Sequence, residues 1–171
     1  MLVGVFLGIY PSGAFAQDAD NHHVGIVIAY PSSVGAVFEM SPRIALRPDL
    51  FMSGSSLTQS GQTVSSRSIA VGLDVLIWLR RYDKVRTYVT PRVSYTHNTS
   101  NQPLAQDVWG TAGSYGVEYS ATSRLAVFGE VGVFVGHSFP KTVTIAEGIS
   151  QTAGPFTSWT TRAGVGIVFY P

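Results

Sequence analysis

Charged side chains are scarce in this chain, at 12% of residues, and those within its apolar stretches recur on one parity. Successive side chains of a β-strand point to opposite faces, so a shared parity places them on one face of a sheet. Four guanidinium groups and five carboxylates nearly balance, and we predict that they form a network of salt bridges. The nine residues are Glu39, Arg47, Asp49, Asp74, Arg86, Arg92, Glu118, Glu130 and Arg162.

Two histidines lie beside hydroxyl side chains, and a base beside a hydroxyl is the pairing that nucleophilic catalysis requires. His97 precedes Thr99 and Ser100, and His137 is followed directly by Ser138. The same neighbours are common in solvated loops, where they do no chemistry. We interpret both histidines as loop residues of that ordinary kind, and we predict no catalytic residues and no enzymatic activity.

Several classes of function lack their residues in this sequence. The chain contains no cysteine, which excludes disulfides, thiolate catalysis and cysteine-bound metal. His22 and His23 are adjacent, and adjacent residues of an extended chain point apart, so we predict no metal site. Phosphate-loop and dinucleotide motifs are missing, so no cofactor is expected. The net charge is +1 and no basic cluster is visible along the sequence, so no nucleic-acid partner is expected.

The stretch from Arg124 to Gly136, RLAVFGEVGVFVG, shows what kind of element carries the charges. One parity is leucine and valine broken by a single glycine. The other parity is glycine, alanine and phenylalanine around Glu130. A half-buried strand of a soluble sheet would carry polar residues on its solvent face. This pattern instead predicts a strand whose aliphatic face meets lipid.

Eight such strands are predicted, and their connections alternate in length. Short turns near 41–43, 80–84 and 121–123 interleave with polar loops at 54–67, 97–107 and 137–154. Short turns at one end and long loops at the other are typical of transmembrane barrels. We therefore predict an all-β fold, an eight-stranded antiparallel up-and-down transmembrane β-barrel. The predicted strands cover 23–30, 34–40, 44–53, 68–79, 85–96, 108–120, 124–136 and 156–170.

The parity of the charges predicts what fills the barrel. An ionised side chain on the lipid face costs roughly 2–4 kcal/mol near mid-bilayer, so the charges should face the lumen. The interior of an eight-stranded barrel is just wide enough to be filled by side chains. We predict a side-chain-filled, salt-bridged lumen, in which Arg86, Arg92 and Arg162 are the candidate partners of Glu130. A lipocalin-like barrel or a soluble sandwich would place its charges on the opposite parity.

The first residues differ from the rest of the chain. Residues 1–16, MLVGVFLGIYPSGAFA, combine an apolar run with small residues before Gln17, as in a secretory signal peptide. The polar residues 17–22 then form a periplasmic N-terminal linker, and 23–171 form the barrel. This organisation predicts export to the outer membrane.

The chain resembles small outer-membrane β-barrels of the OmpA/OmpX type, in the opacity-protein-like group. The resemblance rests on SPRIALRPDL, LRRYDKVRTYVTPRVSY, RLAVFGEVGVFVG and the closing RAGVGIVFY. It implies a location in the outer membrane of a Gram-negative bacterium and insertion by the barrel-assembly machinery. The peptidoglycan-binding domain that often follows OmpA-type barrels is not expected here.

Three functions remain open, because a barrel alone does not specify one. The favoured hypothesis is a structural or surface-interaction, adhesin-like protein that contacts outer-membrane lipid, either lipopolysaccharide or phospholipid. Its loops at 54–67, 97–107 and 137–154 would meet host or cell-surface ligands. The alternative is a narrow porin-like pore, with glycines lining the lumen. A lipid-modifying enzyme is the third, although a deacylase would want His-x-Ser where the chain has His97-Asn98-Thr99.

Overall fold

A computed structural model describes residues 24–31, 33–59, 62–100, 105–146 and 149–171. The predicted signal peptide 1–16, the linker 17–22 and the histidine pair His22 and His23 lie outside these residues. Within the described ranges, no helix is long and apolar enough to cross a membrane.

Eight strands close into an antiparallel barrel, which confirms the predicted all-β, eight-stranded architecture. The barrel strands are β1 (Val24–Tyr30), β2 (Ser33–Ser41), β3 (Ile44–Gln59), β4 (Gln62–Tyr82), β5 (Val85–Ser100), β6 (Val108–Ser120), β7 (Leu125–Ser138) and β10 (Thr157–Phe169), and an extra hairpin is β8 (Lys141–Ala146) with β9 (Ile149–Ala153). The order around the barrel is β1-β10-β7-β6-β5-β4-β3-β2, and among the described residues β8 and β9 pair only with each other.

The alternation along β7 shows how the sequence sets the two faces. Val131 and Val133 are 64% and 49% exposed on the outer surface of the barrel. Phe128 and Glu130 are 4% and 6% exposed because they point into its interior. The predicted parity is therefore confirmed, with aliphatic side chains outside and the carboxylate inside.

The three short turns occur where they were predicted and form one end of the barrel, which we call the short-turn rim. Ser41 Oγ accepts the backbone N–H groups of Arg43 and Ile44 and so fixes the β2–β3 turn. In the β4–β5 turn, Asp83 has a φ of 47°, a left-handed conformation that Asp tolerates better than most residues. Residues 121–124 connect β6 to β7.

The three predicted loops are wrong in their extent. Strands β3 and β4 continue as a paired hairpin from Gly54↔Arg67 to Gln59↔Gln62. Hydroxyl pairs link its two strands, with Ser55 Oγ and Ser66 Oγ 2.9 Å apart. A hairpin with solvent on both faces needs no apolar alternation. The serines and threonines of 54–67 therefore gave no strand pattern and were interpreted as loop residues.

The other two connections are also partly extended. Strand β5 runs to Ser100, well into the predicted loop 97–107, and only 105–107 is irregular among the residues described there. The predicted loop 137–154 contains the end of β7 and the β8–β9 hairpin. The loop end of the barrel is therefore built from projecting hairpins more than from irregular chain.

On one side of the barrel, neighbouring strands pair over fewer residues. Strand β1 pairs with β10 only from Ile26↔Phe169 to Tyr30↔Val165, and β2 pairs with β3 only as far as Ser33↔Phe51. Among the described residues, the part of β3 beyond Phe51 pairs with β4 alone. Only residues 31 and 32 separate β1 from β2, and beyond Phe51 the outer edge of β3 has no partner strand among the described residues.

Apolar side chains fill the interior toward the short-turn rim, and glycines on neighbouring strands make room for the rings. A Cβ on Gly116 would clash with the ring of Tyr88, and one on Gly166 would lie 2.6 Å from the ring of Phe128. The buried apolar cluster comprises Val27, Val37, Ala45, Leu76, Tyr88, Ala126, Phe128, Val168 and Tyr170.

Candidate functional site: the interior charge network

Arg47 lies at the centre of the larger of two interior charge clusters. Its Nη2 is 2.9 Å from Asp74 Oδ2 and 2.8 Å from Glu130 Oε2. The side chains of Arg47 and Asp74 are 5% and 1% exposed. The guanidinium carbon also lies 4.9 Å from the centre of the Phe128 ring. Strand β3 thus carries a cation into the interior, where it joins carboxylates from β4 and β7.

Arg92 on β5 extends this cluster along the wall. It contacts Asp49 through Nη2, at 2.8 Å, and Asp74 through Nη1, at 3.0 Å. A Cβ on Gly72 would overlap both the guanidinium of Arg92 and a carboxylate oxygen of Asp49. The glycine at position 72 is therefore required by the close approach of this ion pair.

Glu130 closes the cluster on the other side of the barrel. Its Oε1 accepts a hydrogen bond from Arg162 Nη2 at 3.1 Å, and its Oε2 accepts one from the Tyr88 hydroxyl at 3.4 Å. Asp49, Arg92, Asp74, Arg47, Glu130 and Arg162 thereby form one continuous chain of ion pairs across the lumen.

A second cluster lies near the short-turn rim, around Arg86. This residue contacts Glu39 at 2.8 Å and Glu118 at 2.7 Å. It donates to the Tyr170 hydroxyl at 3.0 Å, and its guanidinium carbon lies 3.9 Å from the centre of the Trp78 ring. The Arg86 guanidinium on β5 therefore links carboxylates of β2 and β6 with the Tyr170 hydroxyl.

All nine sequence-selected residues make ion pairs in the structure, but the partners were only partly foreseen. Of the three candidates for Glu130, Arg162 is a partner, whereas Arg86 and Arg92 bind other carboxylates. Arg47, which was not a candidate, makes the shorter contact with Glu130. The hydroxyls of Tyr88 and Tyr170 were also missed, although their inward parity could have indicated them.

The network neutralises charge and occupies the lumen. Each of the four arginines has at least one carboxylate within 3.1 Å. Burying charges is costly, and pairing with good hydrogen bonds offsets that cost. Among the described residues, Asp74 Oδ1 and Thr90 Oγ1 are the buried side-chain oxygens without a hydrogen-bond partner. The arrangement therefore suits a closed, cross-linked interior.

The histidines bind other partners than the hydroxyls beside them in sequence. His97 Nδ1 lies 2.9 Å from Asp107 Oδ1, and His137 Nδ1 lies 3.0 Å from Thr157 Oγ1. Ser138, the neighbour of His137, points into the barrel and is fully buried. The His137–Ser138 neighbourhood considered for catalysis is therefore split between the two faces of β7. Among the described residues, no cluster of three or more histidines and carboxylates could hold a metal.

Gln106 ties the loop end of the barrel together. Its Oε1 accepts a hydrogen bond from Ser138 Oγ at 3.0 Å, and its Nε2 donates to the carbonyls of Ala153 and Gly154 at 3.2 and 3.0 Å. Its own carbonyl accepts from Asn98 Nδ2 at 2.8 Å. The segment 105–107 therefore links β5, β7 and the β8–β9 hairpin.

Asp107 is expected to titrate below the ordinary range of an aspartate. The Tyr95 hydroxyl donates to it at 2.7 Å and is the main cause of a pKa below the usual 3.8, and the Asn98 amide and His97 act in the same direction. Because the pKa of Asp107 is lowered in the folded protein, the stabilisation from its carboxylate is fully present at pH values above the ordinary pKa. It is lost as the pH falls through the lowered pKa. Tyr95→Phe should raise the pKa of Asp107, as followed by NMR titration of its carboxyl carbon.

A control is Tyr115→Phe, because Tyr115 is another outward-facing tyrosine of the barrel wall and makes no contact with Asp107 in the described structure. It should leave the titration of Asp107 unchanged. Equal shifts in the two variants would contradict the assignment of Tyr95 as the main cause.

Comparison with protein-family models finds no match, and comparison with curated proteins finds none either. Among solved structures, CarO of Acinetobacter baumannii is similar over 86% of this chain and 96% of its own, at 12% identity and a TM-score of 0.43. A major outer membrane protein of Thermus thermophilus is similar over 86% and 99%, at 13% identity and 0.45. CarO2 of Acinetobacter baumannii is similar over 87% and 97%, at 10% identity and 0.42.

Proposed function

We propose that this chain is a bacterial outer-membrane β-barrel with a closed lumen, and that it acts as a non-enzymatic structural or surface-interaction protein. The observation that carries the proposal is the inversion of polarity. The wall presents aliphatic and aromatic side chains outward, and the ionised side chains of its strand interiors are paired inside. Lipid around the barrel is the solvent that this arrangement suits.

The closed wall is the second requirement for crossing a bilayer. Backbone N–H and C=O groups have no water to bind in hydrocarbon, so a sheet must close on itself to satisfy them. Here each of the eight strands has a neighbour on both sides around the ring. The free edge of β3 lies beyond Phe51, on the loop side, where we place the water outside the membrane.

The interior argues for a plug and against a steady pore. Buried rings and aliphatic side chains fill the end near the short-turn rim, and the ion-pair chain crosses the lumen above them. Two of the glycines considered as pore lining lie directly against interior side chains: a Cβ on Gly116 would overlap the ring of Tyr88, and one on Gly72 would overlap the guanidinium of Arg92. Small residues therefore accommodate side chains here and do not widen a channel.

The projecting hairpins support a role in surface contacts. The β3–β4 hairpin has a free strand edge from Met52 to Gln59 and carries the exposed Leu57 and Val64. An unpaired edge can accept an extended segment of another protein through backbone hydrogen bonds. A host or cell-surface protein could bind this β3 edge, and the connections at 97–107 and 137–154 would add further contacts at the same end of the barrel.

The remaining partners follow from the proposed location. Lipopolysaccharide or phospholipid would surround the wall, and the barrel-assembly machinery would insert it after export by the segment 1–16. His97 contacts Asp107, and His137 contacts the Thr157 hydroxyl, both at the surface. Among the described residues no carboxylate forms an ion pair with His137, so its contact with Thr157 lacks the third group that orients a catalytic base, and we do not favour the enzymatic alternative.

Planar-bilayer recordings test the closed lumen. The protein is refolded from detergent, and a change in its electrophoretic mobility on boiling shows that it is folded. It should then give no steady conductance, because ion pairs and rings block the lumen. Glu130→Ala together with Arg162→Ala removes two ion pairs, Arg47–Glu130 and Arg162–Glu130, and serves as a positive control for brief openings. A steady open channel in the unaltered protein would support the pore alternative, and an unchanged mobility would contradict the membrane barrel itself.

A further inference from the structure

The short-turn rim carries an excess of positive charge. Five cations and one carboxylate lie in its three turns and the adjoining strand ends, and all six are exposed. Arg80, Arg81 and Lys84 are close in sequence, and the fold brings Arg43 and Arg124 to the same end of the barrel, so the expectation that the chain has no basic cluster is wrong. The six residues are Arg43, Arg80, Arg81, Asp83, Lys84 and Arg124.

This excess is concealed by the overall net charge of +1. The interior set holds five carboxylates against four arginines and so contributes one negative charge. At the loop end, the described lysine, arginine and carboxylate residues are Arg67, Lys141 and Asp107. The positive charge of the described barrel is therefore concentrated at one end, which gives the molecule an electrostatic polarity along its axis.

An irregularity in β4 decides which of two adjacent arginines faces outward. The register with β5 shifts between Trp78 and Arg80, so that Arg80 pairs with Thr87 and Arg81 pairs with Arg86. Arg86 points inward, and Arg81 accordingly lines a cavity of about 330 Å³ at the rim. Arg80 takes the outer face. Such bulges re-aim side chains, and without the shift Arg80 would point inward.

Aromatic side chains mark the level at which Arg80 lies. Arg80 Nη1 donates to the Tyr82 hydroxyl at 3.1 Å. Tyr82, Tyr119 and Phe169 are 56%, 47% and 45% exposed on the outer surface near this end. Aromatic residues on a barrel exterior gather at the interface between hydrocarbon and headgroups. The guanidinium of Arg80 therefore lies at headgroup depth, and the turn cations lie just beyond it.

We propose that the short-turn rim binds the phosphate groups of anionic phospholipids in the leaflet that meets it. This proposal rests on the membrane location proposed above. Guanidinium and ammonium groups bind phosphate through charge-assisted hydrogen bonds, and basic clusters next to a bilayer attract anionic leaflets. The phosphates would lie between Arg80 on the wall and Lys84 and Arg124 in the turns.

The test compares lipid retention by two variants that each lose cations from one end of the barrel. The full chain is reconstituted in vesicles of phosphatidylcholine with one quarter phosphatidylglycerol, extracted into mild detergent, and its co-purified lipids are quantified by mass spectrometry. The protein should retain phosphatidylglycerol above its bulk fraction. Arg80→Gln with Lys84→Gln and Arg124→Gln should lower the retained fraction of phosphatidylglycerol to about its bulk fraction of one quarter, and high salt should weaken the enrichment of the unaltered protein.

The control variant is Arg67→Gln with Lys141→Gln, which removes cations from the loop end and should keep the enrichment. Equal loss in both variants, or no enrichment in a protein whose mobility shows a folded barrel, would overturn the lipid proposal and leave the proposed function standing. Rim-dependent binding to sedimented peptidoglycan without phosphatidylglycerol enrichment would also overturn it. Failure of the unaltered chain to insert into the vesicles would contradict both the lipid proposal and the proposed function.

Discussion

Replacing Arg47 with methionine is expected to lower the free energy of unfolding by about 3–5 kcal/mol, the usual cost of breaking a buried ion pair from one side. Arg47 contacts both Asp74 and Glu130, and all three side chains are almost completely buried. Methionine fills a similar volume but leaves two carboxylates short of a cation. The change can be measured by urea unfolding in lipid vesicles, followed by the electrophoretic mobility of the folded barrel.

Arg162→Met is the matched comparison. Arg162 contacts Glu130 alone among the described carboxylates, and its side chain is 26% exposed, against 5% for Arg47. Glu130 would also keep its bond to Arg47. We expect a loss of about 1 kcal/mol, in the range of partly exposed pairs. Equal losses for the two variants would show that the network does not depend on Arg47 as its centre.

The two faces of the barrel could be predicted from the sequence because strand geometry is local. Alternation needs only neighbouring residues, and an ionised side chain on the wrong parity carries a large cost in lipid. The parity of Glu130 and of the valines beside it was therefore readable in a single stretch. The eight strands follow from repeating that argument along the chain.

Pairing across the barrel could not be predicted, because it depends on the register of every strand around the ring. Arg47 and Glu130 are 83 residues apart in sequence and meet across the lumen. A shift of one residue in any ladder would change which charges face each other. The basic rim was missed although Arg80, Arg81 and Lys84 are close in sequence, because Arg43 and Arg124 join them only where the three turns meet at one end.

The projecting hairpins were missed for a different reason. The Ser/Thr-rich segment 54–67 has no alternation of apolar and polar residues, and this alternation is the signal that identified the other strands. Hydroxyl pairs such as Thr58 with Thr63, 2.9 Å apart, stabilise the hairpin without an apolar face. The composition of segment 54–67 therefore distinguishes it from the apolar barrel wall, but it does not show how far β3 and β4 extend into it.

Placing an arginine at Val131 is expected to cost about 2–4 kcal/mol in a bilayer, because a charge at the middle of the lipid face must be drawn out of water. Val131 lies midway along β7, is 64% exposed, and pairs with Ala163 and Tyr115 on the neighbouring strands. The substitution touches no interior ion pair. Unfolding in vesicles would show the loss as a lower urea midpoint.

Leu57→Arg provides a control of nearly equal exposure on the projecting hairpin. Leu57 is an aliphatic residue of 65% exposure, almost the same as Val131, but it lies on the projecting β3–β4 hairpin. If lipid surrounds the wall and water surrounds the hairpin, Leu57→Arg should leave stability within about 0.5 kcal/mol of the unaltered protein. An equally small loss for the Val131 variant would mean that the aliphatic exterior does not face a membrane, because an arginine there would then be as well hydrated as one on the hairpin.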